Sequence, residues 1–161
     1  MFPKGAAIIL AGLALLVAGC GGGGQSAEKA AYIAKADRIC QAMQAEAAPL
    51  IGRLATVASG SVTPVQARKL AGVVDRLHTV GALYTARLAQ LKRPRGDQAA
   101  IRAFLEPSTQ IVESLGRAAA ALRGGDVTSA LGLLQAGQPT AQRADAAARE
   151  YGFKRCVSMF P

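Results

Sequence analysis

The sequence predicts an all-α protein, an antiparallel up-down-up-down four-helix bundle with proline-bent helices. Three observations predict it. From about Ala27 onward apolar residues recur every three or four positions, as amphipathic helices require. No segment alternates with period two, and β-branched residues are scattered. Glycines, prolines and cap residues divide the chain into four runs joined by short turns, which favours antiparallel neighbours.

In the first run, Ile33, Ala36, Cys40, Met43, Ala47, Leu50, Leu54 and Val57 share one face. Pro49 lies inside it and predicts a kink or a break near Ala48, because its ring disfavours helical backbone just before it. Gly60 and Ser61 end the run. Thr63-Pro64 then supplies an N-cap with proline at the first helical position. The second stripe comprises Leu70, Val73, Leu77, Val80 or Gly81, Tyr84, Leu88 and Leu91, and Pro94 and Gly96 stop it. Asp97 is the expected cap of the third run, with Ile101, Phe104 or Leu105, Ile111, Leu115, Ala118 and Leu122 inward and a bend at Pro107. Gly124-Gly125 stops that helix and Asp126 caps the fourth, which turns Leu131, Leu134, Ala141, Ala148 and Tyr151 inward. Pro139 lies within this run, and Gly152 is placed to terminate it.

Composition bounds the core and the chemistry. Of 161 residues, 51% are hydrophobic, yet there are only four Phe, three Tyr and no Trp. The core is therefore built from Ala, Leu, Val and Ile, and each alanine buries little area, so stability is modest. The apolar fraction excludes a disordered chain, and three cysteines are too few for a disulfide-packed miniprotein.

The first twenty residues differ from the rest. Lys4 and the amino terminus form a short positive region, and Gly5 to Ala18 is uncharged and mostly apolar. That run is shorter than the ~20 residues a helix needs to cross a bilayer, so it reads as the apolar part of a signal peptide. Val17-Ala18-Gly19-Cys20 follows, and it resembles the lipobox of bacterial lipoproteins, although the family prefers Leu where Val17 stands. The resemblance implies diacylglycerol transfer to the Cys20 thiol and cleavage after Gly19. The expected organisation is a lipoprotein signal peptide over 1–19, a lipidated cysteine and flexible glycine-rich tether over 20–26, and a helical domain over 27–161. The expected location is the extracytoplasmic face of a cell membrane, held by lipid on Cys20.

Cys40 and Cys156 remain, and an even pair in an exported chain suggests a disulfide between the first helix and the segment after the fourth. The alternative, a buried Cys40 thiol with a reactive Cys156, lacks CxxC spacing. Ala36-Asp37-Arg38-Ile39-Cys40 and Tyr151-Gly152-Phe153-Lys154-Arg155-Cys156 together resemble a pattern found in small helical lipoproteins of actinobacteria. The resemblance supports the bundle and the bridge and implies no activity.

Candidate chemistry is sparse. His78 is the single imidazole; Asp75, three residues earlier, shares its face and would hydrogen-bond it at the edge of the core. No third ligand accompanies them, so no metal site is expected, and no cofactor. Met43 and Met159 stand too far apart for copper handling. Asp37 and Glu46, on one helical face, read as solvated carboxylates rather than an acid–base pair. Arg53, Arg87, Arg117 and Arg143 read as solvated helix faces. No Gly-x-Ser-x-Gly, phosphate-binding loop or HExxH motif occurs, and the expectation is a protein that is not an enzyme. The net charge of +9 suggests nucleic acid, but the export signal and the lack of interleaved aromatics argue against it.

Two roles fit what is left. One is a structural or interaction module of the cell envelope, which needs a contiguous exposed apolar patch for an envelope protein. The alternative is a module for a small apolar or amphipathic ligand, which needs an internal cavity on the order of several hundred Å³, lined by Leu, Ile, Phe and Tyr with one or two polar groups. In either role, the up-down-up-down order brings Lys29, Lys92, Arg93, Arg95, Lys154 and Arg155 to the end where the tether enters. This basic cluster would face an anionic lipid surface. Cations at helix C-termini, which complement the macrodipole, account for part of the same pattern.

Overall fold

A computed structural model describes residues 23–57 and 62–157. The lipobox, Cys20, Gly60, Ser61 and Met159 lie outside the described residues. Four helices run in sequence: α1 (Gly23–Val57), α2 (Pro64–Ala89), α3 (Gln98–Arg123) and α4 (Val127–Tyr151), with no strand among the described residues. The fold is the four-helix bundle that the apolar periodicity predicts. Each helix packs on the next in sequence, whereas α1 and α4 are not packed along their length.

The helix ends follow local chemistry. Thr63 Oγ1 accepts from the Gln66 N–H, and the Gln66 side chain accepts from the Thr63 N–H at 2.8 Å, a capping box at the start of α2. Asp126 accepts from the Ser129 N–H at 2.9 Å, and Gly152 closes α4 with φ 103°, a left-handed conformation suited to glycine. Arg87, Arg123 and Arg149 lie in the last turns of α2, α3 and α4, where a cation complements the helix dipole.

Several expectations are corrected. Asp97 occupies the N-cap position of α3 but makes no capping hydrogen bond. Its carboxylate is engaged by the Tyr151 hydroxyl, which donates to Asp97 Oδ2 at 2.7 Å. Helix α1 begins at Gly23, inside the segment 20–26 expected as a tether; propagation onto a formed helix costs only about 1 kcal/mol per glycine. Pro49 does not break α1, which continues to Val57, and α3 and α4 likewise run through Pro107 and Pro139. Around Pro107, Ser108 Oγ donates to the Phe104 carbonyl at 2.8 Å and Thr109 Oγ1 to that of Leu105 at 3.0 Å. These bonds serve the turn where proline removes a backbone donor. Leu131, expected inward, is 53% exposed, because α4 turns Ala130, Ala144 and Ala148 toward its neighbours. Small residues let α4 approach α3 closely.

Two clusters form the core. One lies at the end where α1 starts and α4 finishes. There Tyr32, Cys40, Leu88, Ile101, Phe104 and Tyr151 gather around Phe153, which lies beyond α4. The other lies at the opposite end, with Leu70, Val74, Ala118, Leu122 and Ala130. Between them α2 and α3 touch closely: a Cβ on Gly81 would come within 2.9 Å of Val112 Cγ2.

Tyr151 and Tyr32 make the first cluster sensitive to base. Burial, and then the Asp97 carboxylate, push the Tyr151 hydroxyl well above its ordinary value. Burial also raises Tyr32, partly opposed by the Arg93 cation. Both phenols are held in the neutral form, so their contribution is complete below the unfolded-state pKa of about 10 and is lost as pH rises beyond it. The contribution of these two phenols to the unfolding free energy is expected to be level up to about pH 10 and to fall above it. Urea melts of Tyr151→Phe against wild type check this: the alkaline decline is shallower in the variant.

Candidate functional site

The bridge comes first because it shapes the site. Cys40 and Cys156 form a disulfide across a separation of 116 residues, with Cα atoms 5.1 Å apart. Both are buried. It ties α1 to the segment after α4 at one end of the bundle.

Asp37 strengthens that junction. Its carboxylate accepts from the Lys154 N–H at 3.0 and 3.1 Å and from the Arg155 N–H at 2.8 Å. Gln44 donates to the Arg155 carbonyl at 2.8 Å. Asp37 is therefore an anchor for the terminal segment rather than a solvated carboxylate. Glu46 also differs from expectation, since it accepts from the Tyr84 hydroxyl at 3.1 Å. The spacing of two acids on one face could not reveal partners that arrive from other parts of the chain.

Away from the bridged end α1 and α4 diverge, and a cleft of about 240 Å³ lies between the two core clusters. Met43, Ala47, Ile51 and Leu54 of α1 form one wall. Leu134, Gly137, Gln138 and Ala141 of α4 take part in another. Leu77 and Val80 of α2 with Ile111, Ser114 and Leu115 of α3 complete the lining. Ser114 and Gln138 are its polar members, and no charged or aromatic side chain lines it. Its origin is in the sequence: Ala47, Gly137 and Ala141 bring little or no side chain to the middle of the bundle, where larger residues would meet. At about 24 cal/mol per Å³, an enclosed void of this volume forgoes at most about 6 kcal/mol of packing. An apolar occupant would recover part of that.

The remaining site residues are also located. Lys29 lies 4.4 Å from the Tyr151 ring centroid, and Lys92 and Arg93 line a second, shallower recess with Glu28, Tyr32 and Lys35. Arg95, Lys154 and Arg155 belong to the same end through their place after α2 and after α4. The six basic residues thus share one end, interspersed with Glu28, Asp37 and Asp97. Arg87 lies over the Tyr84 ring at 4.9 Å, and Arg117 and Arg143 donate to Ser114 and Thr140 at 3.1 Å each.

His78 makes no hydrogen bond with Asp75. The Asp75 carboxylate pairs with Arg123 of α3 at 3.1 Å, and the His78 ring lies over Gly116, whose hypothetical Cβ would be 3.2 Å from it. A partner on the facing helix reaches Asp75, and the absent side chain at Gly116 gives the imidazole its space. Among the described residues no group of three or more His, Cys, Asp or Glu is placed to hold a metal.

No protein-family model, curated protein or solved structure matches the chain.

Proposed function

We propose that this chain is a lipid-anchored extracytoplasmic domain that holds a small apolar or amphipathic molecule in the cleft between its helices. The cleft is the observation that carries the reading: all four helices contribute to it, and its lining combines aliphatic side chains with Ser114 and Gln138. Mostly apolar with few polar groups is the composition of a ligand pocket, here smaller than expected at about 240 Å³ and without the expected Phe or Tyr. An interaction module for an envelope protein has less support, because it calls for a contiguous exposed apolar patch. Val65, Leu83 and Leu131 are the exposed large apolar residues of the described chain. Val65 and Leu83 are about 27 Å apart along α2.

Support for the anchor comes from Val17-Ala18-Gly19-Cys20 after its short apolar run and from the disulfide, which persists in oxidising compartments. Among the described residues no helix is long and apolar enough to cross a membrane; the attachment proposed here runs through lipid on Cys20. The basic end faces the bilayer in this reading, and each cation close to an anionic surface adds about 1 kcal/mol to a single lipid anchor.

Labelling cells with a fatty-acid analogue tests the anchor. Wild type incorporates the label and Cys20→Ser does not; equal labelling of both removes the anchor from the proposal. Intact native mass of the protein purified from membranes reads the rest together. The expected species lacks residues 1–19, carries a diacylglyceryl mass and one disulfide, and retains a small noncovalent adduct. Binding of the unlipidated domain to anionic but not neutral vesicles, weakened by salt and by Lys92/Arg93/Arg95→Ala, tests the basic end. No binding at low salt leaves those cations a helix-end role.

A further inference from the structure

Resting on the reading of the cleft as a ligand site, we infer that its occupant is a single aliphatic chain of about ten non-hydrogen atoms with an uncharged hydrogen-bonding head. Size gives the length. A dry apolar cavity of about 150 Å³ accommodates benzene, so 240 Å³ holds roughly ten heavy atoms. Shape gives the form: the lining spans Met43 to Leu54 on α1, about 16 Å, and Leu133 to Ala141 on α4, about 12 Å, against only about 6 Å on α2 (Leu77 to Gly81) and on α3 (Ile111 to Leu115), so its long direction is set by α1 and α4. The site is elongated along its α1 and α4 walls.

Lining chemistry gives the class. Apart from Ser114 and Gln138 its side chains are aliphatic or Met, with no aromatic ring on which a planar ligand would stack. It holds no cation or carboxylate to pair with a charged head, and Gln138, at its exposed edge, and half-buried Ser114 offer only neutral hydrogen-bonding groups there. Arg117, exposed on α3, stands outside the lining and already donates to Ser114 Oγ. The Ser114 hydroxyl and the Gln138 amide are the groups that meet the head, and both can donate and accept.

Gly137 governs occupancy. It lines the cleft, and a Cβ built there meets nothing within 4 Å, so a larger side chain would enter the space the ligand needs. Gly132, also on α4 with open space around its Cβ, lies outside the lining and serves as the control. Both substitutions remove a helix-interior glycine, so both favour the folded state.

The experiment follows the Met43 methyl resonance of the full-length chain in lipid nanodiscs during titration with 1-decanol, decanoate or naphthalene. Dissociation constants refer to the free aqueous concentration of each probe. The expected result is saturable binding of 1-decanol at least tenfold tighter than decanoate or naphthalene. Gly137→Leu loses at least tenfold in 1-decanol affinity while its melting temperature rises, and Gly132→Leu binds as wild type does. Decanoate bound as tightly as 1-decanol overturns the uncharged head, and naphthalene bound most tightly overturns the aliphatic class; either result leaves the cleft as a ligand site. Failure of all three probes to shift Met43 overturns the ligand reading itself.

Discussion

Replacing both bridge cysteines, as Cys40→Ala/Cys156→Ala, is expected to lower the unfolding free energy by about 5 kcal/mol. The magnitude follows from loop-closure entropy over a separation of 116 residues, where cross-linking removes most freedom from the unfolded chain. It is comparable with the whole stability of a small domain. The cost falls on a chain with few reserves, since much of its buried surface is alanine: Ala36, Ala67, Ala118, Ala119, Ala144 and Ala148 are all nearly inaccessible. The bridge also stands where helix packing is weakest, between α1 and the end of α4. Without it the terminal segment is held by the Asp37 hydrogen bonds and by aromatic contacts. Urea unfolding of the variant beside wild type, with and without reductant, measures the effect. A melting temperature about 15 °C lower is the thermal equivalent. Reduced wild type should match the oxidised variant, and a loss below about 1 kcal/mol would show that the bridge constrains little.

The bundle was legible because its periods and caps are local. Thr63-Pro64, Asp126 and Gly152 each do what their positions in sequence suggest, and the apolar stripe of α2 identifies Leu70, Tyr84 and Leu88 as buried. The bridge was legible too, because two cysteines at opposite ends of an antiparallel order have one natural pairing. Interactions between distant segments were not. Asp97 reads as a cap until Tyr151 is placed beside it, and Asp37 reads as a surface acid until the backbone after Gly152 folds onto it. His78 and Asp75 share a helix face, yet each finds its environment on α3. The cleft illustrates the limit best. Ala47, Gly137 and Ala141 look like ordinary small residues of close-packed helices, and Ala130, Ala144 and Ala148 do serve that purpose. Whether a small residue brings two helices together or leaves a gap depends on how far apart the helices are held. Here the bridge draws α1 toward the end of α4, while the rest of the two helices is not packed together.

Phe153→Ala is expected to cost about 3–4 kcal/mol. Phe153 follows the left-handed Gly152, outside any helical period, and no stripe of apolar residues announces it. It is nevertheless buried at the centre of the aromatic group. Its ring centroid is 4.9 Å from that of Tyr151, 5.1 Å from Phe104 and 6.1 Å from Tyr32, so it joins α1, α3 and α4 through one side chain. Its backbone N–H continues the closure of α4 by donating to the Ala148 carbonyl at 3.0 Å, a bond that alanine retains. The loss is therefore one of packing, with a cavity left among rings that tertiary contacts hold in place. Because Phe153 and Cys156 fix the same short segment, the effects of removing the ring and the bridge are not independent. In the bridged protein the segment stays near α1 without the ring, and the cavity partly closes around it. In Cys40→Ala/Cys156→Ala the same substitution frees the segment, and the terminal turn detaches from α1. A double-mutant cycle by urea unfolding, run with hydrogen exchange in a stabilising osmolyte that keeps the triple variant folded, is expected to show a coupling of about 1 kcal/mol or more between ring and bridge. Additivity within about 0.3 kcal/mol would mean that each holds the bundle independently. Hydrogen exchange at the Lys154 and Arg155 amides separates the two cases directly. Their protection depends on Asp37, and it should survive either change alone and disappear when both are made.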